Sequence, residues 1–402
     1  MVFLFINIYF NKNFPCKIVF YVSLDCIYFI IKKFKSMYFY LAILTLSCYF
    51  FLTFNLLKIV RKNFQKYEKL DHISKTNSEH FYPFIRFDFP YWSKIKFYLG
   101  AIFLLPIRLL LIISCVISCF VTVRFSLIGA NMKKPILGLR RRMIRFFAGS
   151  WCRSILYIAG LYHINVVEEK IEKYLPNYHS KYKNPSAPII VCNHVSWVDT
   201  LSMISLPFCP SFVAKEEISH IPVVGFVAKA LQALFVVRES RSDKDLILKK
   251  IHERCIKFKE INGMPQLLIF PEGTNTNGNS ILHFKRGAFN TLEKLQIICL
   301  EYKQFPFNLM LDDFGMGTNI LMALCVLKHK LTVHVFDVFD PEYLNLKGDE
   351  WEKYADVVQE LMKKCLNAKT CNLGYRDSMD FTELLKEQNL IENRKLNLHN
   401  EV

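Results

Sequence analysis

The residues in this chain best suited to do chemistry are His194 and Asp199, in the stretch Asn193-His194-Val195-Ser196-Trp197-Val198-Asp199. On one continuous helix, five positions would set the two side chains on different sides. With His194 in a turn after a strand and Asp199 one turn into the next helix, the carboxylate reaches back to an imidazole nitrogen. It then fixes the tautomer and stabilises the imidazolium as it forms, leaving the other nitrogen as a general base. A core histidine with a chance acidic neighbour has the same spacing, so the pair needs company.

That company is spread over the next ninety residues. The apolar run Leu267-Leu268-Ile269-Phe270 ends in Pro271-Glu272-Gly273-Thr274 and the turn-forming Asn275-Thr276-Asn277-Gly278. An acid held between Pro and Gly at the end of a strand is well placed to bind substrate hydroxyls. Phe235-Val236-Val237-Arg238 ends another run in a guanidinium, a planar donor suited to phosphate. Lys215 ends a further run, Phe212-Val213-Ala214-Lys215, and Lys285 and Arg286 follow the Glu272 loop. Singly, each of these cations reads as surface before function; together, at or near strand ends around the His–Asp pair, they point the other way.

The elements that must carry these residues alternate. Strand-like runs at 189–193, 211–214, 234–238, 266–270, 297–302 and 331–336 are interleaved with helix-like runs at 200–205, 223–231, 243–260, 286–295 and 349–366. Such alternation implies an α/β domain, a mostly parallel central sheet flanked by helices, with ligands at the C-terminal ends of the strands. The short apolar run 318–327 reads as a core or interfacial helix.

The first third of the chain is of another kind. Tyr38 to Leu57 carries no charge, is flanked by Lys35, Lys58, Arg61 and Lys62, and is long enough to span a bilayer. Ile18 to Ile31 is shorter and interrupted by Asp25; it reads as a signal-like region, an interfacial helix or a poor span, and Met37 is a plausible internal start. Phe97 to Val123 is apolar but contains Pro106 and Arg108, so a membrane hairpin and a straight span are both open, and the arginine must snorkel or pair. Lys133, Lys134, Arg140, Arg141, Arg142 and Arg145 follow with no acid among them, as an anchor on anionic lipid or a solvated basic face would have it. The expected organisation is hydrophobic segments over 1–60 with a transmembrane helix at 38–57, a linker over 61–96, a membrane-associated hairpin and basic segment over 97–145, a catalytic domain over 146–380 and a polar, frayed tail over 381–402.

Composition agrees with a membrane setting. Hydrophobic residues make up 52% of the 402, Phe alone numbers 36, and 52 Lys+Arg against 35 Asp+Glu leave a net charge of +17. Apolar and basic together suit a protein on an anionic leaflet; a compositional bias toward Phe, Ile, Lys and Asn would also raise the charge. No nucleic-acid module is legible, which argues against that class of partner. The 13 cysteines sit singly, with no zinc spacing, and read as reduced thiols. No metal site and no EF-hand loop after residue 340 is legible.

The order Asn193-His194-(four residues)-Asp199, Phe235…Arg238 and Phe270-Pro271-Glu272-Gly273-Thr274 resembles the blocks of the membrane glycerolipid acyltransferase (PlsC-like) superfamily. Pro210-Ser211-Phe212-Val213-Ala214-Lys215, Ile221-Pro222-Val223-Val224-Gly225 and Phe284-Lys285-Arg286-Gly287-Ala288-Phe289 look most like its lysophosphatidylcholine/lysophosphatidylethanolamine branch. The resemblance covers roughly residues 97 to 380. It implies transfer of an acyl chain from acyl-CoA, a co-substrate rather than a bound cofactor, to a lysophospholipid hydroxyl. His194 is then the base, oriented by Asp199, with no acyl-enzyme. Glu272, Gly273 and Thr274 hold the glycerol part, with Phe235, Arg238 and Lys215 near the acceptor phosphate. It also implies an endoplasmic reticulum membrane with the catalytic domain facing the cytosol.

Two departures bear on the acceptor. Relatives that acylate glycerol phosphate or lysophosphatidate often carry an Arg where this chain has Asn275, and the run Gln296 to Tyr302 lacks the Pro usual in the fourth block. The first leans toward an acceptor with a head group on its phosphate. The second opens the acceptor and acyl contacts of that strand. Two other readings stand beside this one: the same chemistry on lysophosphatidate or glycerol 3-phosphate, and a non-catalytic membrane lipid-binding or scaffold protein that has kept the fold.

Overall fold

Strands of this chain that are apolar on both faces can be buried only in the middle of a sheet covered on both sides. Ile189–Cys192 and Leu267–Ile269 are such strands, with every residue buried. The computed structural model describes residues 24–76, 79–132, 134–179, 186–237, 241–312 and 315–400. Its strands are β1 (Ile164–Glu169), β2 (Ile189–Cys192), β3 (Ser211–Lys215), β4 (Leu234–Val236), β5 (Leu267–Ile269), β6 (Ser280–Leu282), β7 (Leu295–Tyr302), β8 (Leu331–Phe339) and β9 (Lys369–Cys371). Seven of them form one sheet in the order β1-β8-β7-β2-β5-β3-β4. All its pairs are parallel except β7 with β8. β6 and β9 make a separate parallel pair.

The helices are α1 (Leu24–Thr76), α2 (Lys94–Phe103), α3 (Leu105–Ser126), α4 (Gly138–Ile158), α5 (Val198–Ser205), α6 (Val224–Ala230), α7 (Arg241–Glu260), α8 (Met316–Cys325), α9 (Trp351–Leu366) and α10 (Tyr375–Asn400). Two buried clusters show how they cover the sheet. One joins Val191, Leu267, Ile297 and Phe336 to Ile251 of α7 and Tyr354 and Val358 of α9. The other joins Val123, Ile144, Ala148 and Cys152 of α3 and α4 to Ile204 of α5 and Ala230 of α6. The expected α/β architecture is what the chain adopts.

The chain divides into two units, Met1–Leu56 and Leu57–Val402. Among the described residues the first is helical, and Phe39, Leu44, Phe50, Phe51 and Phe54 are exposed on it. Tyr38–Glu68 and Leu105–Ser126 are long and apolar enough to cross a membrane. The start of the apolar stretch at Ile18 lies outside the described residues. In α3, Arg108 neither snorkels nor waits for an acid. It is buried and donates to the carbonyls of Leu324, Val326 and Leu327 at 2.6 to 2.9 Å, groups that the end of α8 leaves without helical partners.

Three expectations differ from what is observed. The stretch 61–96 is not an open linker: α1 continues to Thr76, and Phe64, Tyr67, Phe81, Phe84 and Trp92 are buried. Aromatic residues without a periodic pattern pack here as short 3₁₀ turns, which no helix or strand period reveals. The tail beyond 380 belongs to α10, whose Phe381 and Leu385, one turn apart, bury against Phe81, Phe84 and Ile85. The helix expected over 286–295 is only a 3₁₀ turn, Arg286–Ala288, because Leu292 takes a left-handed conformation (φ 48°) as the chain turns into β7.

The segment 81–92 matters to the site because it clamps two loops that flank it. Arg86 is buried; it pairs with Asp88 at 2.9 Å and Asp312 at 2.8 Å and donates to the carbonyls of Asn308 and Met310. The adjoining Leu311 N–H donates to Val195 O at 2.9 Å. On the other side Asn277 donates to the carbonyls of Tyr82 and Ile85. The loop between β2 and α5 is thus held from both flanks.

Candidate active site

β2 ends at Cys192, and α5 begins at Val198, with Asp199 in its first turn. The intervening loop is tied down at its first residue. Asn193 exchanges two hydrogen bonds with Leu300 of β7, Nδ2 to Leu300 O at 3.0 Å and Leu300 N to Oδ1 at 2.7 Å. The Asn193 side chain extends the β2–β7 ladder by one step after the backbone has left the sheet.

Asp199 is fully buried, and its carboxylate is saturated. Oδ2 accepts from Val195 N at 2.7 Å and Ser196 N at 2.9 Å and lies 2.7 Å from His194 Nδ1, while Oδ1 accepts from Tyr302 Oη at 2.6 Å. A carboxylate facing Nδ1 makes that nitrogen the N–H donor and leaves Nε2 with its lone pair. The imidazole lies flat on Phe270, ring centroids 4.1 Å apart and 14° from coplanar, and is 23% exposed. The ring is fixed on one face and at one edge.

Tyr302 is the member of this group that the sequence did not disclose. It ends β7, is buried, and burial first, with Asp199's charge adding, pushes its phenol well above the usual range. It therefore stays a donor to Asp199. The strand run ending in Tyr302 was visible, but residue type gives no direction for a hydroxyl.

Glu272 stands under His194 rather than beside it. Its Oε1 accepts from His194 N at 2.9 Å and its Oε2 from Leu282 N of β6 at 3.0 Å, and the residue is fully buried. Burial, with Asp199's charge adding, outweighs the two backbone donors and pushes the carboxyl up to about 8. In this conformation the side chain does not reach toward a substrate hydroxyl, as its sequence position had suggested. It holds the backbone of the proposed base, because closing β6 over the loop seals it in.

The other expected residues divide. Gly273 has φ +74°, a left-handed conformation that favours glycine, and the end of the Lys285 side chain packs into the space a Cβ would take. Lys285 and Lys215 lie 5.6 and 5.8 Å from the ring centroid of Tyr375, and Thr274 Oγ1 is 3.4 Å from Ser378 Oγ. The start of α10 thereby gathers Lys215, Gly273, Thr274 and Lys285; the sequence offered no sign that the C-terminal helix would do so. Phe235, half-buried on β4, pairs in register with Ala214, next to Lys215. Arg238 lies outside the described residues.

His194, Lys215, Phe235 and Glu272 all stand at or just past the C-terminal ends of parallel strands, where α/β sheets place ligands. An imidazole, the carboxylate that holds its Nδ1 and two ammonium groups stand on that edge. The arrangement can take a proton from a hydroxyl and attract an anionic group nearby.

The acyltransferase family model matches residues 166–301. The chain is 29% identical over 324 residues to the lysophospholipid acyltransferase LPEAT1 of Arabidopsis thaliana, covering 72% of this chain and 80% of that one. It is 28% identical to a lysophosphatidylcholine acyltransferase of Drosophila melanogaster, over 70% of this chain and 51% of the fly protein. For the mouse lysophosphatidylcholine acyltransferase 1 the figures are 26%, 68% and 49%. The chain therefore spans about half the length of these two animal relatives. The crystal structure of the 1-acyl-sn-glycerophosphate acyltransferase PlsC of Thermotoga maritima superposes with TM-score 0.41 at 19% identity, covering 65% of this chain and 97% of that one, too loosely to bear on the site.

Proposed function

We propose that this chain, an acyltransferase by its domain and its relatives, moves a fatty acyl group from acyl-CoA to the free hydroxyl of a lysophospholipid. The observation that carries the mechanism is the His194–Asp199 pair with its saturated carboxylate. His194 Nε2 takes the hydroxyl proton as the oxygen attacks the thioester carbonyl. The tetrahedral intermediate collapses to the ester, and the proton returns from the imidazolium to the departing CoA sulfur. No acyl-enzyme is involved, so no serine or cysteine nucleophile is required. General-base help of this kind is worth about 10²–10⁴-fold, and proximity of the two substrates supplies further rate.

Lys215 and Lys285, gathered by Tyr375, face the acceptor phosphate in this reading, with Phe235 beside them and Gly273 and Thr274 along the glycerol; Arg238 is assigned to the same phosphate from the resemblance alone. Glu272 positions the His194 backbone from below. The relatives' names support a lysophospholipid over lysophosphatidate or glycerol 3-phosphate. The two apolar helices support work at a membrane, and the resemblance supports the cytosolic face of the endoplasmic reticulum.

The test is an acceptor panel on membranes carrying the full chain. Lysophosphatidylcholine and lysophosphatidylethanolamine should be acylated from acyl-CoA, and lysophosphatidate and glycerol 3-phosphate poorly. Preference for the latter two would overturn the acceptor assignment. Undiminished activity of His194→Ala would overturn the mechanism.

A further inference from the structure

The opposite edge of the sheet carries a second concentration of charge that the acyl-transfer chemistry does not use. A cavity of about 450 Å³ opens there, lined by Arg141, Arg142 and Arg145 of α4 together with Ser186, Phe258 and Gln296. The residues leading into β2, β3 and β5 border it, Ala187, Phe208 and Gln266 among them. The His194 site lies past the other ends of these strands. The four residues of β2 alone separate the two by about 13 Å of sheet.

The charges here are not balanced. Arg141 is 8% exposed; its Nη2 donates to Cys209 O at 2.5 Å, and its Nη1, sealed from solvent, has no hydrogen-bond partner. Arg254 of α7 donates to Ser211 Oγ at 2.9 Å from Nη2, and its Nε too has no partner. The two guanidiniums thus grip the same short loop, Cys209 to Ser211, and among the described residues neither pairs with a carboxylate. Burial first, then the charge of Arg141, pushes Arg254 down to about 10.

A buried cation ordinarily has a counter-charge, and this chain supplies one where it buries Arg86. Among the described residues Arg141 has no such acid, and its Nη1 lacks even the carbonyls that satisfy Arg108, so that nitrogen is open to an acceptor from outside. Several guanidinium forks in a cavity of this size suit a phosphate group, which accepts from each at once.

The face of α4 indicates what brings that phosphate. Leu139 and Phe146 are 70% and 66% exposed, and Arg142 and Arg145 are exposed beside them. Positions 139, 142, 145 and 146 fall on one side of a helix, three or four residues apart. Large apolar groups alternating with guanidiniums are the signature of a helix lying in a membrane interface. α4 begins shortly after α3, which is itself long and apolar enough to cross the membrane.

We propose that the cavity between α4 and the N-terminal edge of the sheet is a phosphate-binding site for an anionic membrane phospholipid, separate from the acyl-transfer site. The phosphate accepts from Arg141, Arg142 and Arg145, and the lipid's chains run along Leu139 and Phe146. The basic run, open from sequence to an anchor on anionic lipid or a solvated face, becomes a site with a defined stoichiometry.

The test uses the full chain purified in a nonionic detergent. Dioleoylphosphatidylglycerol, dioleoylphosphatidylcholine and inorganic phosphate are added separately, and bound lipid is counted by native mass spectrometry alongside the melting temperature. One phosphatidylglycerol should bind tightly and raise the melting temperature, with little effect of phosphatidylcholine. Because Arg142 and Arg145 are exposed, the double variant Arg142→Gln/Arg145→Gln should fold normally and bind phosphatidylglycerol about tenfold or more weakly, the loss of charge-assisted hydrogen bonds. His194→Ala should bind it as the unaltered chain does. Undiminished binding by the double variant overturns the site. Equal weakening in His194→Ala moves the ligand to the acyl-transfer site and overturns the proposal. A full stabilising shift from inorganic phosphate alone overturns the lipid as its source.

Discussion

The two ends of the parallel sheet treat charge in opposite ways. At the C-terminal edge the acidic groups are fully provided for: both oxygens of Asp199 and both of Glu272 accept fixed hydrogen bonds, and Arg86 nearby meets two carboxylates and two carbonyls. At the N-terminal edge the buried Arg141 and the half-buried Arg254 each keep one nitrogen without a partner among the described residues. A catalytic base must be held in one geometry before substrate arrives, so its supporting groups are satisfied within the protein. A site that waits for a ligand leaves its donors for the ligand to satisfy. If both proposals hold, the contrast separates a preorganised reaction centre from a receptor.

The largest effect that would break this comparison is at the base. His194→Ala should lower kcat/KM for lysophospholipid acylation by about 10²–10⁴-fold without changing the melting temperature, as measured on purified protein. A small loss of activity would mean that the preorganisation serves structure alone.

Arg86→Met should destabilise by about 3–5 kcal/mol, because it strands Asp88 and Asp312 inside the protein. A thermal melt against the unaltered chain checks it.

Glu272 sharpens the comparison through pH. Its carboxyl is raised from 4.5 to about 8, so the folded state favours the protonated form. Its contribution to stability is fully present below about 4.5 and is lost as pH rises toward about 8. Glu272→Gln should flatten the melting-temperature profile across that window. An unchanged profile would show that the buried carboxyl titrates normally.

Tyr302→Phe should fold and lose about tenfold in kcat with KM little altered, since one hydrogen bond to the charged Asp199 disappears. Steady-state kinetics on the variant measure this directly. The smallest effect is the most pointed: Arg141→Met in lipid-free protein should cost little melting temperature, because a buried charge with no acid among the described residues gives way to an apolar chain of similar length and only the bond to Cys209 O is lost. A loss as large as that of Arg86→Met would erase the distinction between the two edges.

Much of the site's outline was legible because it is written locally. The strand runs ending near Cys192, Lys215, Val236 and Ile269 are short-range apolar patterns, and the His–Asp spacing across a turn is a local geometric fact. The segment 61–96 and α10 were misread because aromatic packing and a single buried pair, Phe381 and Leu385, leave no period to detect. At the site itself, Glu272 was recognised by position but its direction was not, since burial depends on β6 closing over it.

What the sequence by itself determined, then, is the α/β alternation and a histidine and aspartate set to meet across one turn, because backbone propensity and short-range spacing decide both. Only the tertiary structure decided that Tyr302 completes Asp199, that Asn193 fastens to Leu300, and that Arg141 is buried without an acid among the described residues. Tyr302 and Leu300 lie more than a hundred residues from their partners. Where such distant groups meet, or fail to meet, is set by how the sheet and its helices pack, and no local pattern carries that information.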